Sequence, residues 1–172
     1  LPEILRRAGI RRPVLFGHSD GASIALLFAA SFPDAPSAVF SVAAHVFVED
    51  VTLAGIEETA RAWETTDLPE RLGRHHGAKA ESVLRAWSET WRDPAFRGFS
   101  AVEAIRPLRC PLLVVQGEND EYGTVAQVEA IASAVSGPVR TLVLPGLGHF
   151  PHREDPERVL AATESFLAEF GA

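Results

Sequence analysis

Four short apolar runs constrain the fold of this chain most strongly. They are PVLFG at 13–17, SAVFSVAA at 37–44, CPLLVVQG at 110–117 and VRTLVLPG at 139–146. Continuous runs of this length, ended by turn residues, are typical of strands that are buried on both faces. Helical patterns follow three of the runs, at 21–33, 124–135 and 156–170. Strands that alternate with helices predict an α/β fold with a parallel sheet of about four strands.

A long segment without a strand pattern separates the second run from the third. Residues 48–107 contain all three tryptophans and several helical stretches. The segment is too long for an ordinary connection between neighbouring elements. We therefore predict a helical insertion at 48–107, between two parts of one sheet-containing core at 1–47 and 108–172.

Composition excludes several classes of partner. The formal net charge is −7 and the sequence pI is about 5.3, which argues against nucleic acid or an anionic membrane surface as the main partner. No apolar run approaches the roughly 18 residues that span a bilayer. The single cysteine, Cys110, allows no intrachain disulfide, so we expect a reducing, cytoplasmic location and a buried, inert thiol.

The beginning of the chain is unusual for a complete protein. It starts LPEILRRAGI, and the sequence contains no methionine. The first residues predict a helix at 2–8 that ends before Gly9. We expect that a further segment precedes residue 1.

The pattern Gly-x-Ser-x-Gly stands directly between the first predicted strand and a helix, at residues 17–21. A sharp strand-to-helix turn would expose the Ser19 hydroxyl, and it needs small neighbours at Gly17 and Gly21. The following helix would direct its first N–H groups towards the reacting oxygen. A chance match in a glycine-containing loop is the alternative, but the strand–turn–helix context favours a nucleophile.

A serine nucleophile needs a base, and the base needs an acid that orients it. Acidic residues follow the third strand, and histidines follow the fourth, at the sheet edge where parallel sheets bind ligands. Among Glu118, Asp120 and Glu121, a short turn after Gly117 favours Asp120, and we expect the two glutamates to be solvated. Two nearby glycines favour His149 over His152, which we place at the surface start of the last helix.

Three motifs resemble those of the α/β-hydrolase superfamily, a three-layer fold, and within it the esterase-like enzymes with a helical cap. They are GHSDGA, LLVVQGENDEYG and LPGLGHFPHREDPERV. GHSDG is also similar to the biphenyl-hydrolase-like (valacyclovirase) branch. The resemblance implies that Ser19 is the nucleophile, Asp120 the acid and His149 the base, with the Asp20 N–H as an oxyanion donor. It also implies that 48–107 is the cap, and that neither a metal nor an organic cofactor is needed.

The chain departs from the superfamily before the serine motif. The resemblance implies about four more strands there, which would supply another oxyanion donor, and one such donor contributes about 2.7–4 kcal/mol to transition-state stabilisation. Without them, the first strand would be an apolar edge that favours pairing with another strand. We expect a preceding segment or a second copy to complete the sheet, or else a fragment without activity.

Four further residues are candidates for substrate binding: His18, Asp20, His45 and Phe150. Asp20 could hold a cationic group such as the ammonium of an amino-acid ester, or it could simply stabilise the first turn of a helix. His45 could line the acyl pocket, or it could be a buried structural histidine.

Two functions of different class follow. The first is a serine hydrolase that cleaves a small-molecule ester, thioester or amide through an acyl-enzyme. Carbon–carbon bond hydrolysis, perhydrolysis and lactone opening stay open within it, whereas the serine argues against the dehalogenase and epoxide-hydrolase branches. The second is a non-catalytic fragment or pseudoenzyme that pairs through its exposed sheet edge.

Overall fold

A computed structural model describes residues 1–170 of the chain. Its four strands form one parallel sheet in the order β1-β2-β3-β4. The strands are β1 Val14–His18, β2 Ala38–Val42, β3 Leu112–Gly117 and β4 Val139–Leu144. Each lies within one of the apolar runs or extends it by one residue. The predicted parallel α/β sheet is confirmed.

Eight α-helices are present in the described residues. They are α1 Pro2–Arg7, α2 Asp20–Ser31, α3 Asp50–Thr65, α4 Leu68–His76, α5 Ala80–Arg92, α6 Val125–Ala134, α7 Pro151–Glu154 and α8 Pro156–Phe170. The sequence pattern predicts all of them except α7, whose single turn is too short to produce a periodic signal. None of these helices is both long and apolar enough to cross a bilayer.

The core of the sheet packs against α8 on one face. Phe40 and Val42 of β2 alternate with residues of the opposite face, and they meet Phe166 of α8 in a buried cluster. The crossover helices α2 and α6 pack against the strands that they connect. Since crossovers in parallel sheets are right-handed and the strand order is sequential, α2 and α6 cover the same face. The result is a three-layer arrangement.

The chain divides into two compact units. The core unit comprises Leu1–Phe47 and the residues from Ser100 onward, and the helical unit comprises Val48–Phe99. In the helical unit α5 packs on α3 and α4, and Trp91 lies against Phe96 and Phe99. Residues 100–107, which the predicted insertion included, pack within the core unit. The assignment of the helical segment as a cap stays a prediction.

Strand β1 forms one edge of the sheet. It pairs only with β2 in the described part of the chain, and its other side has no strand neighbour. Val14 and Phe16 on this strand are 43% and 55% exposed. An edge with exposed apolar side chains differs from the buried strands β2 and β3, and it favours pairing with another strand.

Candidate active site

The backbone at Ser19 is strained. The residue lies between β1 and α2 with φ 55° and ψ −127°, a conformation that non-glycine residues rarely adopt and that costs about 1–3 kcal/mol. Its N–H donates to the carbonyl of Val42 at 2.9 Å, which ties the turn to β2. The strain therefore persists because neighbouring structure fixes the turn.

The two glycines that flank the serine are not equivalent. A Cβ on Gly17 would lie 2.4 Å from the carbonyl oxygen of Gly21 and 2.6 Å from the Cα of Ala22, so only glycine fits there. A Cβ on Gly21 would meet nothing within 4 Å. The expectation that both positions must be small is wrong for Gly21 in the described structure, because this residue faces open space.

Asp120 and His149 form a buried pair. Nδ1 of His149 lies 2.8 Å and 2.9 Å from the two carboxylate oxygens of Asp120, and the residues are only 4% and 6% exposed. A carboxylate is an acceptor, so His149 donates from Nδ1. In a neutral imidazole this leaves Nε2 as the acceptor, which is the form that a general base requires.

The Asp120 carboxylate has three further donors. It accepts the Tyr122 N–H at 2.8 Å, the Gly123 N–H at 3.3 Å and the Nε2 amide of Gln116 at 2.6 Å. Gln116 is 1% exposed, and its amide also donates to the Gly123 carbonyl. Sequence reasoning missed Gln116, although a lone amide at the end of the apolar run LLVVQG was a usable signal.

The loops that carry the acid and the histidine pack backbone against backbone. A Cβ on Gly117 would lie 2.1 Å from the Gly148 carbonyl oxygen, and the Asn119 N–H donates to the Leu147 carbonyl at 2.8 Å. Only a glycine at position 117 allows this approach. The close packing brings residues 29 positions apart into one hydrogen bond.

His18 links the serine turn to the histidine loop. Its Nε2 donates to the carbonyl of His149 at 2.8 Å, and the two rings lie 4.8 Å apart. Burial lowers the pKa of His18 to about 4, so the ring is neutral near pH 7. This contact joins the residue before Ser19 to the backbone of His149. In residues 1–170 the structure records no hydrogen bond at the Ser19 hydroxyl.

Aromatic rings surround His149. Tyr122, Phe150 and His45 have ring centroids 4.6, 5.2 and 5.8 Å from it. Phe150 is 39% exposed, whereas His45 is buried. Burial, followed by the neighbouring His149, lowers the pKa of His45. The structure thus gathers three of the candidate substrate-binding residues, His18, His45 and Phe150, and adds Tyr122, which sequence reasoning missed.

Asp20 is the first residue of α2 and is half-buried. The first N–H groups of a helix have no partner inside it, and no described residue accepts the Asp20 N–H. The negative charge of its carboxylate weakly opposes the lowering of the His45 pKa by burial. Asp20 therefore offers a backbone donor beside the serine and a carboxylate near the same group of rings.

Two expectations from the loops need correction. His152 is not the surface start of the last helix: it lies on the separate turn α7, half-buried, with its ring 4.7 Å from that of His18. Burial lowers its pKa. Glu121 is exposed but not simply solvated, because its carboxylate accepts the His149 N–H at 3.2 Å. Both expectations failed because the contacts of His152 with His18 and of Glu121 with His149 form only in the folded chain.

The groups at this edge of the sheet allow proton transfer near the hydroxyl of Ser19, whose backbone is strained. In the described residues no group of three or more His, Cys, Asp and Glu side chains could hold a metal ion. A neutral imidazole oriented by a buried carboxylate can take the proton of a serine hydroxyl.

Known proteins share this architecture. The sequence model of the alpha/beta hydrolase family matches residues 1–162. A 2-(acetamidomethylene)succinate hydrolase from Mesorhizobium japonicum is 24% identical over 188 residues, which cover 95% of this chain and 67% of that protein. Because the family model spans nearly the whole chain, the resemblance to the α/β-hydrolase superfamily is confirmed.

Solved structures agree in fold. An esterase from Thermogutta terrifontis superposes with a TM-score of 0.65 and 22% identity, over 98% of this chain and 70% of that one. A meta-cleavage product hydrolase from Pseudomonas fluorescens gives a TM-score of 0.69 and 17% identity, over 96% and 68%. At these identities the likeness extends to the fold alone. Together with the family match it leads to one conclusion: the chain belongs to the alpha/beta hydrolase family.

Proposed function

We propose that this protein is a serine hydrolase that cleaves a small-molecule carboxylic ester, thioester or amide through an acyl-enzyme. The observation that supports the proposal best is the strained Ser19 turn: His18, the residue before it, is hydrogen-bonded to the carbonyl of His149, whose ring is paired with the buried Asp120. Strain at a non-glycine residue is stored mainly at functional sites.

In the proposed mechanism the Ser19 Oγ attacks the substrate carbonyl while Nε2 of His149 takes the hydroxyl proton. Asp120 stabilises the imidazolium that forms, and the Asp20 N–H donates to the developing oxyanion. His149 then returns the proton to the leaving group, and an acyl-enzyme is left on Ser19. Water, deprotonated by the same imidazole, hydrolyses the acyl-enzyme. The steps use protein groups and water.

The names of related proteins support an acyl substrate but include other chemistry. One relative is named for hydrolysis of 2-(acetamidomethylene)succinate, and one structural neighbour is an esterase. Another neighbour is a meta-cleavage product hydrolase, which keeps carbon–carbon bond hydrolysis as the alternative within the same mechanism class. We place ester cleavage first because one structural neighbour is an esterase and because an activated serine with oxyanion donors forms the acyl-enzyme directly.

Covalent labelling tests the proposal directly. The chain and a Ser19→Ala variant are incubated with a fluorophosphonate probe, and their intact masses are measured. We expect one adduct on the parent chain and none on the variant. Ser31→Ala, an exposed serine at the end of the same helix, is the matched control and should be labelled like the parent. A folded parent chain that takes up no probe would refute the proposal.

A second candidate role is strand pairing through the open edge of β1. The exposed Phe16 and the unpaired side of this strand favour it. The partner would be a second copy of the chain or a preceding segment that completes the sheet. Size-exclusion chromatography distinguishes the cases, because a monomer at high concentration argues against pairing between copies. A cytoplasmic location, which rests on the lone Cys110, is part of the same proposal.

A further inference from the structure

Three consecutive backbone N–H groups of the histidine loop donate to carboxylates. The Gly148 N–H donates to Oε2 of Glu154 at 2.8 Å, and the Phe150 N–H donates to Oε1 of the same side chain at 3.0 Å. The His149 N–H donates to Oε2 of Glu121 at 3.2 Å. Two acidic side chains therefore hold the backbone of His149 and of the residues before and after it.

The two carboxylates converge on Gly148. A Cβ at this position would lie 3.2 Å from Oε2 of Glu121 and 3.4 Å from Oε1 of Glu154. Two like charges that approach one glycine repel each other unless donors lie between them. The three N–H groups are such donors, and hydrogen bonds to an ionised acceptor are about twice as strong as neutral ones.

The loop needs external restraint because of its own sequence. Gly146 adopts φ 78°, and Gly148 has no side chain, so the backbone before His149 has wide conformational freedom. The imidazole is held at Nδ1 by Asp120 and the His149 carbonyl is held by His18. The backbone N–H groups of the loop are held by Glu121 and Glu154.

We propose that Glu154 and Glu121 are positioning residues that hold the His149 loop so that the imidazole stays aligned with Asp120. The two side chains act from different elements: Glu154 belongs to α7, and Glu121 follows Asp120 in the acid loop. The acid loop and the histidine loop are thus joined twice: Asp120 accepts from the His149 imidazole, and Glu121 accepts from the His149 backbone N–H. The kinetic consequence of this alignment rests on the proposed serine hydrolase function.

Low-field proton NMR of the His149 Nδ1–H tests the positioning role without any substrate. The resonance is assigned by its loss in His149→Gln and then compared in Glu154→Gln and Glu121→Gln. A glutamine carries one acceptor oxygen, so Glu154→Gln keeps only one of the two backbone bonds. We expect the resonance to broaden or to disappear through faster exchange, with a larger change for Glu154→Gln. The parent resonance should stay sharp.

Matched controls are available close by in the sequence. Glu157→Gln, in the first turn of α8, and Glu118→Gln, in the acid loop, remove one charge from exposed side chains for which no hydrogen bond is described. They should leave the resonance unchanged. A sharp, unshifted resonance in both Glu154→Gln and Glu121→Gln would overturn the inference, as would a parent chain without the resonance. If one of the two variants does not fold, the other decides.

The labelling rate separates this inference from the proposed function. If the parent chain reacts with fluorophosphonate, Glu154→Gln should react about tenfold more slowly at a temperature at which both proteins are fully folded. Equal rates together with an altered resonance would limit the role to His149 alignment. A parent chain that is not labelled refutes the hydrolase function alone, and the resonance still decides the positioning role.

Discussion

The two sides of the candidate site differ in how firmly the structure holds them. On the side formed by β3 and β4, the Asp120–His149 pair is buried, and the Asp120 carboxylate has three more donors. On the β1 side, Ser19 follows an edge strand whose Phe16 is 55% exposed. Several hydrogen bonds fix the Asp120–His149 pair, whereas the feature that distinguishes Ser19 is its strained backbone.

The contrast indicates that the acid–base pair and the nucleophile depend on different parts of the chain. The pair depends on two loops that pack backbone against backbone at Gly117. The serine depends on β1, on α2 and on the hydrogen bond from its N–H to the Val42 carbonyl. Substitutions on the two sides should therefore have different effects on stability and on rate.

The largest effect is expected from Asp120→Asn. The amide would present a donor to Nδ1 of His149 and favour the wrong tautomer, which lowers kcat by about 10⁴-fold in enzymes that use this triad. Steady-state hydrolysis of a p-nitrophenyl ester measures the change. Glu118→Gln in the same loop is the control. A loss below tenfold would show that the buried pair is not catalytic.

On the serine side, Gly17→Ala should destabilise the fold by at least about 1–3 kcal/mol, because the new Cβ overlaps the Gly21 carbonyl. Gly21→Ala is the matched control. It meets no atom within 4 Å and replaces a helical glycine, so the free energy of unfolding should stay constant or rise by up to about 1 kcal/mol. Urea denaturation measures both. Equal losses in the two variants would contradict the asymmetry of the two glycines.

Gln116→Leu removes one donor from the side of the Asp120–His149 pair. The buried Asp120 carboxylate and the Gly123 carbonyl each lose a partner, so we expect about 1–3 kcal/mol less stability and about a tenfold lower kcat. Gln127→Leu is a useful comparison, because this buried amide bonds Val46 and Phe47 instead of the acid. Its stability loss should be similar and its effect on kcat smaller. A larger loss of kcat in Gln127→Leu than in Gln116→Leu would show that Gln116 does not support the function of Asp120.

Asp20→Asn tests whether the serine side selects cationic substrates. Loss of the carboxylate should raise KM for amino-acid esters by about tenfold and leave KM for neutral esters of the same leaving group unchanged. The half-buried position of Asp20 beside Ser19 is the reason. Parallel kinetics with both ester types measure the ratio. An equal change for both would assign Asp20 to the helix terminus alone.

The stability of the fold should also depend on pH. Burial lowers the pKa of His18 to about 4, and it also lowers the pKa of His45 and His152. The unfolded chain binds more protons between about pH 6.5 and 4, so the free energy of unfolding should fall as the pH drops through this window. His18→Gln should flatten the decline, and His75→Gln, an exposed residue on α4, should not. Urea denaturation at several pH values decides.

The sequence alone went far towards the fold because its signals are local. Buried strands need continuous apolar runs, and the serine turn needs its glycine at position 17, so both leave marks in the sequence. The short turn α7 left no such mark, and His152 was therefore placed on the wrong element. The acidic and histidine motifs could be found because the order of strands fixes which loops share an edge.

What the sequence by itself determined is the parallel α/β sheet, the family and the set of residues at one edge of that sheet. Only the tertiary structure decided their partners: Gln116 on Asp120, His18 on the His149 carbonyl, and Glu121 and Glu154 on the histidine loop. The physical reason is range. Periodicity and turn chemistry act over a few residues, whereas these hydrogen bonds join side chains whose meeting depends on how two loops pack at Gly117 and Gly148.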